Sequence, residues 1–509
     1  MNSDSDGPPA GAFRRRLLRN TAATAAANGW TMVLSLVSVP LLLHGLGAEA
    51  FGVWALLQTF SAVTGWLSLA DLGVGLASTR FVADYASRED AESRDRVIAT
   101  ALAVCALIGG GFALTVAAIG PYLFRAAFDV ASDLRGAVTF AVIVFAAQIF
   151  FELLAASAGS CLDGIQRVDL SRLADACRRT VVVIATAATA TLGGGLQGVA
   201  LAASIATGLG AAITVFLLRR QVGRFSVQWS GDVAHQLLGY GRTVLSLNVT
   251  GVLHRTTDRI VVGLVLGPGA VALVEIATQV QNGVAAVLSA ASYSVTSGAA
   301  WMRGRGDRGQ LGRLTVRASK YACVTTLPLC ALVSVLAGPI IAAWLGAGYT
   351  DAADLIRLAL AYLATQAPLA AGTNALLGMG SAGRIVRPAL VAVTFNMIAS
   401  VVLVERYGIA GSFVATILSS VVLSPWLLRL LATDLGITSR ELLRDSVLPA
   451  LVPAGGAACV GAAVLRTNWS ATAQVVAGAT FGFVVVVALV GRVALRHDER
   501  RELTRALIR

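Results

Sequence analysis

Residues 249–267 read VTGVLHRTTDRIVVGLVLG. Both ends have the apolar density of a membrane-spanning helix, yet the middle holds His254, Arg255, Asp258 and Arg259. A charge at the centre of a bilayer helix costs about 2.5–3.5 kcal/mol on insertion scales. Residues placed there against that cost face a bundle interior or water, and they mark transport paths.

The rest of the chain settles whether the stretch lies in a membrane. The 509 residues are 56% hydrophobic and 13% charged, against about 25% charged in soluble domains. Apolar runs of about 20 residues, each enough to cross ~30 Å of hydrocarbon, recur from Thr21 to Val493. They are too long and too continuously apolar for barrel strands. The expected class is an all-α polytopic membrane protein with about 14 transmembrane helices. Their approximate limits are 22–44, 51–77, 97–119, 135–159, 179–193, 198–218, 241–266, 270–298, 319–345, 354–379, 386–404, 409–431, 447–465 and 472–493. The first run is too long for the apolar core of a signal peptide and reads as an uncleaved helix.

The net charge of +12 would suggest nucleic acid as the partner of a soluble protein. Here 33 of the 40 Lys and Arg lie in the two tails and the even-numbered connections, four lie in odd-numbered connections, and Arg255, Arg259 and Arg357 lie within spans. The bias places both termini and the even connections in the cytoplasm and implies anionic lipid, not nucleic acid, as the basic residues' partner. A miscounted span would invert the alternation downstream of it. Six cysteines form no C-x-x-C pair and the four histidines are scattered, so neither a metal nor another cofactor is expected. No catalytic or phosphate-binding motif and no loop large enough for a soluble catalytic domain is present, which points away from an enzyme.

LGAEAFGVWALLQTF (46–60) and LGPGAVALVEIATQV (266–280) match at an offset of 220 residues, which maps spans 1–6 onto spans 7–12. Two parallel six-helix lobes around a central cavity, plus two C-terminal helices, follow from that mapping. The boundaries are an N-tail at 1–20, an N-lobe at 21–220, a C-lobe at 221–435, spans 13 and 14 at 436–495 and a C-tail at 496–509. At the same offset Arg255 and Asp258 align with Ser35 and Ser38, so the charges are not a requirement of the scaffold. Arg255 and Arg259 suit an anionic head group, because guanidinium grips phosphate bidentately and stays protonated. Asp258, Glu275, Glu152, Asp71 and Arg80 are candidate coupling or ion-pair residues, with Arg259–Glu275 a plausible pair between spans 7 and 8.

Four stretches resemble a known family. They are LGAEAFGVWALLQTFSAVTGWLSLADLGVGLASTRFVADY (46–85), LDGIQRVDLSRL (162–173), HRTTDRIVVGLVLGPGAVAL (254–273) and LLGMGSAGRIVRPALVAVTFNMIASVVLVERYGIAGSFVATILSS (376–420). They are similar to the polysaccharide-transporter branch of the multidrug/oligosaccharidyl-lipid/polysaccharide exporter superfamily, the Wzx-type O-antigen and exopolysaccharide flippases. The resemblance implies translocation of undecaprenyl-diphosphate-linked oligosaccharide from the cytoplasmic to the outer leaflet of a bacterial inner membrane, with cavity cations meeting the diphosphate-sugar head. It also implies polysaccharide polymerase and export proteins as partners. Span 1 lacks the arginine of the superfamily's lipid II flippases, which argues against a peptidoglycan precursor. A multidrug/cation antiporter of the same fold and a membrane glycan polymerase or ligase are the alternatives.

Overall fold

The computed structural model describes residues 10–62, 65–223, 229–305 and 308–494, and every regular element among them is helical. The expected tails therefore fall partly outside: residues 1–9 and 495–509 are not among the described residues, while 10–20 begin the first helix. The helices are α1 (Ala10–Thr59), α2 (Val74–Ser87), α3 (Ala91–Ala127), α4 (Arg135–Gly164), α5 (Val168–Thr191), α6 (Gly195–Val222), α7 (Gly231–Leu266) and α8 (Pro268–Arg305). They continue with α9 (Arg308–Val335), α10 (Ala337–Trp344), α11 (Ala352–Gly378), α12 (Ala382–Tyr407), α13 (Ile409–Leu435), α14 (Ser439–Leu442), α15 (Leu448–Leu465) and α16 (Ala471–Leu489).

Eleven helical segments among the described residues are long and apolar enough to cross a membrane. The three further expected spans are present in altered form. Spans 5 and 7 correspond to α5 and α7, whose central charges set them apart from the rest. Span 2 is not one helix. Helix α1 turns at Gly47 and ends at Thr59, a short 3-10 turn runs from Trp66 to Asp71, and α2 begins at Val74. Leu72 (φ 48) and Gly73 (φ 76) adopt left-handed backbone between the last two pieces. Large apolar side chains such as Leu114, Leu192, Val476 and Phe483 are more than half exposed, as lipid-facing residues are in a protein taken without its bilayer.

Contacts divide the chain into two units. The first holds the residues up to Thr256 together with Gly267–Ala272; the second holds Thr257–Leu266 and the residues from Leu273 onward. In the first unit, Val74, Ala77, Val97, Ala101, Ala158 and Leu162 help form a core that joins α2, α3 and α4. Small residues let its helices close together: a Cβ on Gly45 would stand 2.7 Å from Ala190 backbone atoms, and one on Gly164 would stand 2.8 Å from Val82. In the second unit, Leu311, Leu369, Leu376, Leu427 and Leu431 join α9, α11 and α13. Leu332, Leu336 and Val464 pack α9 and α10 against α15.

The repeat is visible in the backbone. Gly47 has φ 77 and Gly267 has φ 83, a conformation that only glycine adopts readily. Each ends one helix and starts the next. Gly52, one turn after Gly47, meets the Pro268 carbonyl so closely that a Cβ there would stand 1.8 Å from its oxygen.

Candidate functional site

The charges in the middle of α7 have different surroundings. Arg255 lies eleven residues before the end of the helix, about 16 Å along its axis at 1.5 Å per residue. Its side chain is exposed and makes no ion pair among the described residues. A Cβ on Gly251 would stand 3.2 Å from Arg255 Nη1, so the guanidinium lies back over the preceding turn, where glycine leaves room. Arg259, one turn further on, belongs to the second unit. Its Nη2 stands 2.6 Å from Glu275 Oε2 on α8, with each side chain 19% exposed. The pair is close without hydrogen-bond alignment, and Arg259 Nε has no hydrogen-bond partner among the described residues.

Asp258 faces elsewhere. Thr416 Oγ1 on α13 stands 3.2 Å from both of its carboxylate oxygens, and Asn396 Nδ2 on α12 donates to Thr416 Oγ1 at 2.9 Å. Asn396 and Thr416 are buried. Within the second unit, α12 and α13 thus reach one α7 carboxylate through an amide that bonds a hydroxyl. Neither Asn396 nor Thr416 was singled out by sequence, although a lone amide in an apolar span is a signal that could have found Asn396.

The remaining candidates lie in the first unit, and of them Arg80 alone is seen against α7, at Tyr240 near its start and not at the charged stretch. Asp71 accepts from the Gly75 amide at 3.1 Å and from the Cys105 thiol at 3.9 Å. It satisfies a free amide in the first turn of α2, a structural role. Arg80 is exposed and stacks 4.7 Å from the Tyr240 ring centroid and 5.6 Å from that of Phe81. Glu152 is buried on α4. Its Oε2 accepts from the Ala62 amide at 2.7 Å and from Ser61 Oγ at 2.9 Å, and its Oε1 accepts from Gln148 Nε2 at 2.9 Å. Ala62 and Ser61 belong to the break between the two halves of span 2, so Glu152 supplies the acceptor that an unwound membrane segment needs.

Two cavities, of about 320 Å³ and 220 Å³, share Glu152, Arg178 and Arg179 as lining residues. The two arginines are a correction to the sequence reading. The span limits begin span 5 at 179, next to Arg178, but the loop closes by Arg167 and both arginines lie inside α5. Arg178, 10% exposed, and Arg179 both pair with Asp175. Gly210 on α6 makes room for the stem of Arg178: a Cβ there would stand 2.4 Å from Arg178 Cγ. Among the described residues, no group of His, Cys, Asp and Glu is placed to hold a metal ion.

Solved structures share this fold. A lipid II flippase, MurJ, in an inward closed conformation superposes with a TM-score of 0.72 at 16% identity, covering 95% of this chain and 99% of that one. An inward-facing multidrug resistance transporter of the MATE family superposes with a TM-score of 0.68 at 17% identity, covering 80% of this chain and 96% of that one. No curated protein matches in sequence. The sequence profile of the polysaccharide biosynthesis protein family matches residues 17–296. With more than half its length matched, the chain belongs to the polysaccharide biosynthesis protein family.

Proposed function

We propose that the protein is a flippase that carries undecaprenyl-diphosphate-linked oligosaccharide from the cytoplasmic to the outer leaflet by alternating access. The observation that carries this reading is Arg255: an exposed guanidinium near the middle of the expected span 241–266 in an apolar chain, without an ion pair among the described residues. A membrane helix that bears such a charge requires a compensating partner, and a passing diphosphate supplies one. Arg259, in the second unit, holds another guanidinium, whose Nε has no hydrogen-bond partner among the described residues. The lipid tails stay in hydrocarbon throughout, so only the charged head has to be matched by protein groups.

Asp258 is the carboxylate we assign to coupling. Its hydrogen-bond partner, the Thr416 hydroxyl, is neutral, so protonating it or placing a cation beside it changes the local charge by a full unit. The same observation favours the second reading, a cation antiporter of this fold, in which Asp258 serves the cargo itself. Membership of the polysaccharide biosynthesis family supports the first. An inner-membrane location with both termini in the cytoplasm, and work beside a polysaccharide polymerase and export proteins, belong to this reading.

Reconstitution into liposomes tests it. Fluorescent undecaprenyl-diphosphate oligosaccharide should move between leaflets in the presence of the protein, and the matching lipid without its diphosphate should not. Equal rates for both lipids, or export of organic cations with no lipid movement, would overturn the flippase reading.

A further inference from the structure

The first unit holds a polar chamber that nothing above employs. Two cavities meet at Glu152, Arg178 and Arg179, and their combined size falls in the lower range of small-ligand sites. We propose that this chamber is a saccharide-binding site that receives an uncharged sugar ring, with Glu152 and the side-chain amide of Gln148 at its centre. The sugar would be a unit of the cargo glycan, and to that extent the inference rests on the flippase reading.

Four features select this class of ligand. The first is charge. The ionised lining residues are Glu152, Asp163 and Asp175 against Arg172, Arg178 and Arg179, three of each sign. Arg172 pairs with Asp163, and Arg178 and Arg179 share Asp175. A phosphate would meet Glu152 and a cation would meet the arginines, whereas a neutral polyol meets no net field.

The second is unused hydrogen-bonding capacity. Gln148, Asp163, Arg172 and Thr207 line the cavities, and Gln148 Oε1, Asp163 Oδ1, Arg172 Nε and Thr207 Oγ1 are buried without a hydrogen-bond partner among the described residues. A buried polar atom left without a partner is expensive. These four supply two acceptors, a hydroxyl that can act either way, and a donor. Ring hydroxyls, each both donor and acceptor, match such a mixture; a simple anion or cation does not.

The third is shape and surface. The smaller cavity is lined by Trp54 beside Gln58, Ser35 and Ser38. An indole offers a flat apolar surface next to polar groups, and a pyranose has an apolar C–H side as well as hydroxyl edges. Ser35 and Ser38 are the positions that the internal repeat aligns with Arg255 and Asp258, so the first copy bears hydroxyls where the second bears charges.

The fourth is the broken span. Chain that leaves the helix at membrane depth is tolerated where it is enclosed by protein or lines a cavity, and in transporters such breaks mark binding sites. The break after Thr59 ends against Glu152, and Ser61, which donates to that carboxylate, lines the chamber. The three donors around Glu152 hold it as an acceptor while leaving it in the cavity wall.

The test uses the full chain in lipid nanodiscs, free of sugar-headed detergent. Lactose, maltose and an N-acetylhexosamine disaccharide are titrated by calorimetry, with inorganic pyrophosphate as the anionic comparison. The neutral sugars should bind saturably and compete with one another, and pyrophosphate should not displace them. Thr207→Val removes a hydroxyl that no described protein group uses, so it should leave the melting temperature unchanged or raised while weakening sugar binding roughly fivefold, the effect of one hydrogen bond. Ser38→Ala should weaken it similarly. The inference is overturned if no neutral sugar binds, as for a chamber that takes water alone; if pyrophosphate competes, as for an anion site; or if both variants bind sugar as the wild type does. Lipid is not needed for this measurement. Sugar binding without lipid movement in liposomes would sink the flippase reading and leave the chamber; lipid movement without sugar binding would do the reverse.

Discussion

The Glu152 carboxylate accepts the Ala62 amide at 2.7 Å, across 90 residues of sequence. This bond joins α4 to the break in the second span, and with the Ser61 and Gln148 bonds it satisfies a charge that is 4% exposed. Removing one partner of a buried, charged hydrogen-bond group leaves the others unsatisfied, at about 1–3 kcal/mol each. Glu152→Ala should therefore lower stability by about 2–4 kcal/mol, read as a lower melting temperature in nanodiscs. Glu152→Gln keeps the shape and one acceptor, and should lose about half as much. Equal melting for all three proteins would show that the break is held by something else.

Arg178 and Gly210 form a second dependent pair. The arginine stem occupies the space where any side chain at 210 would stand. Gly210→Val should be destabilising by about 1–3 kcal/mol, as overpacked positions are. Arg178→Ala in the same chain should recover part of that loss, because the two changes share one volume. A double-mutant cycle on melting temperature measures the coupling, and strictly additive effects would contradict the packing described.

Gly47 and Gly267 should be alike in their intolerance of side chains. Gly47 has φ 77 and ψ 165, a region open almost only to glycine and strained by about 1–3 kcal/mol otherwise; Gly267 has φ 83. Alanine at either position should reduce the yield of folded protein, measured by monodisperse elution after purification, and alanine at Gly348, which has open space around it and no such backbone, should not. The repeat that aligned these two glycines was legible in sequence because L-G-x-x-A recurs at helix junctions, and composition alone was enough for the membrane class. The break in span 2 was not legible. Residues 51–77 carry a single charge, Asp71, and their other polar residues, Gln58, Thr59, Ser61, Thr64 and Ser68, are of kinds that an unbroken span also holds, while the acceptor that permits unwinding lies on another helix. Arg178 and Arg179 were misplaced for a related reason: their charge reads as a connection, and only the packing of α5 on α6 shows that Gly210 gives one of them a buried place. Thr416 and Asn396 sit 20 residues apart across a helical hairpin, a relation that periodicity within one helix does not reveal.

Asp258 and Thr416 make a prediction about driving force. If the carboxylate couples transport to an ion gradient, Asp258→Asn should leave lipid movement measurable but insensitive to an imposed proton or sodium gradient in liposomes. Thr416→Val removes the hydroxyl at 3.2 Å and should shift the gradient dependence while retaining coupling. A gradient response identical to wild type in both variants would remove Asp258 from coupling and leave it a bundle-stabilising residue.

Arg255 tests the account most directly. Its exposure near the middle of the expected span 241–266, without an ion pair among the described residues, is the observation on which the proposed anionic lipid cargo rests. The decisive measurement is the initial rate of undecaprenyl-diphosphate oligosaccharide movement in liposomes for wild type, Arg255→Lys and Arg255→Ala, matched for the amount of folded protein inserted. The account predicts a loss of at least tenfold for alanine, equal to about 1.4 kcal/mol of lost stabilisation, and partial retention for lysine, which keeps the charge without the bidentate fork. A wild-type rate in Arg255→Ala would contradict it.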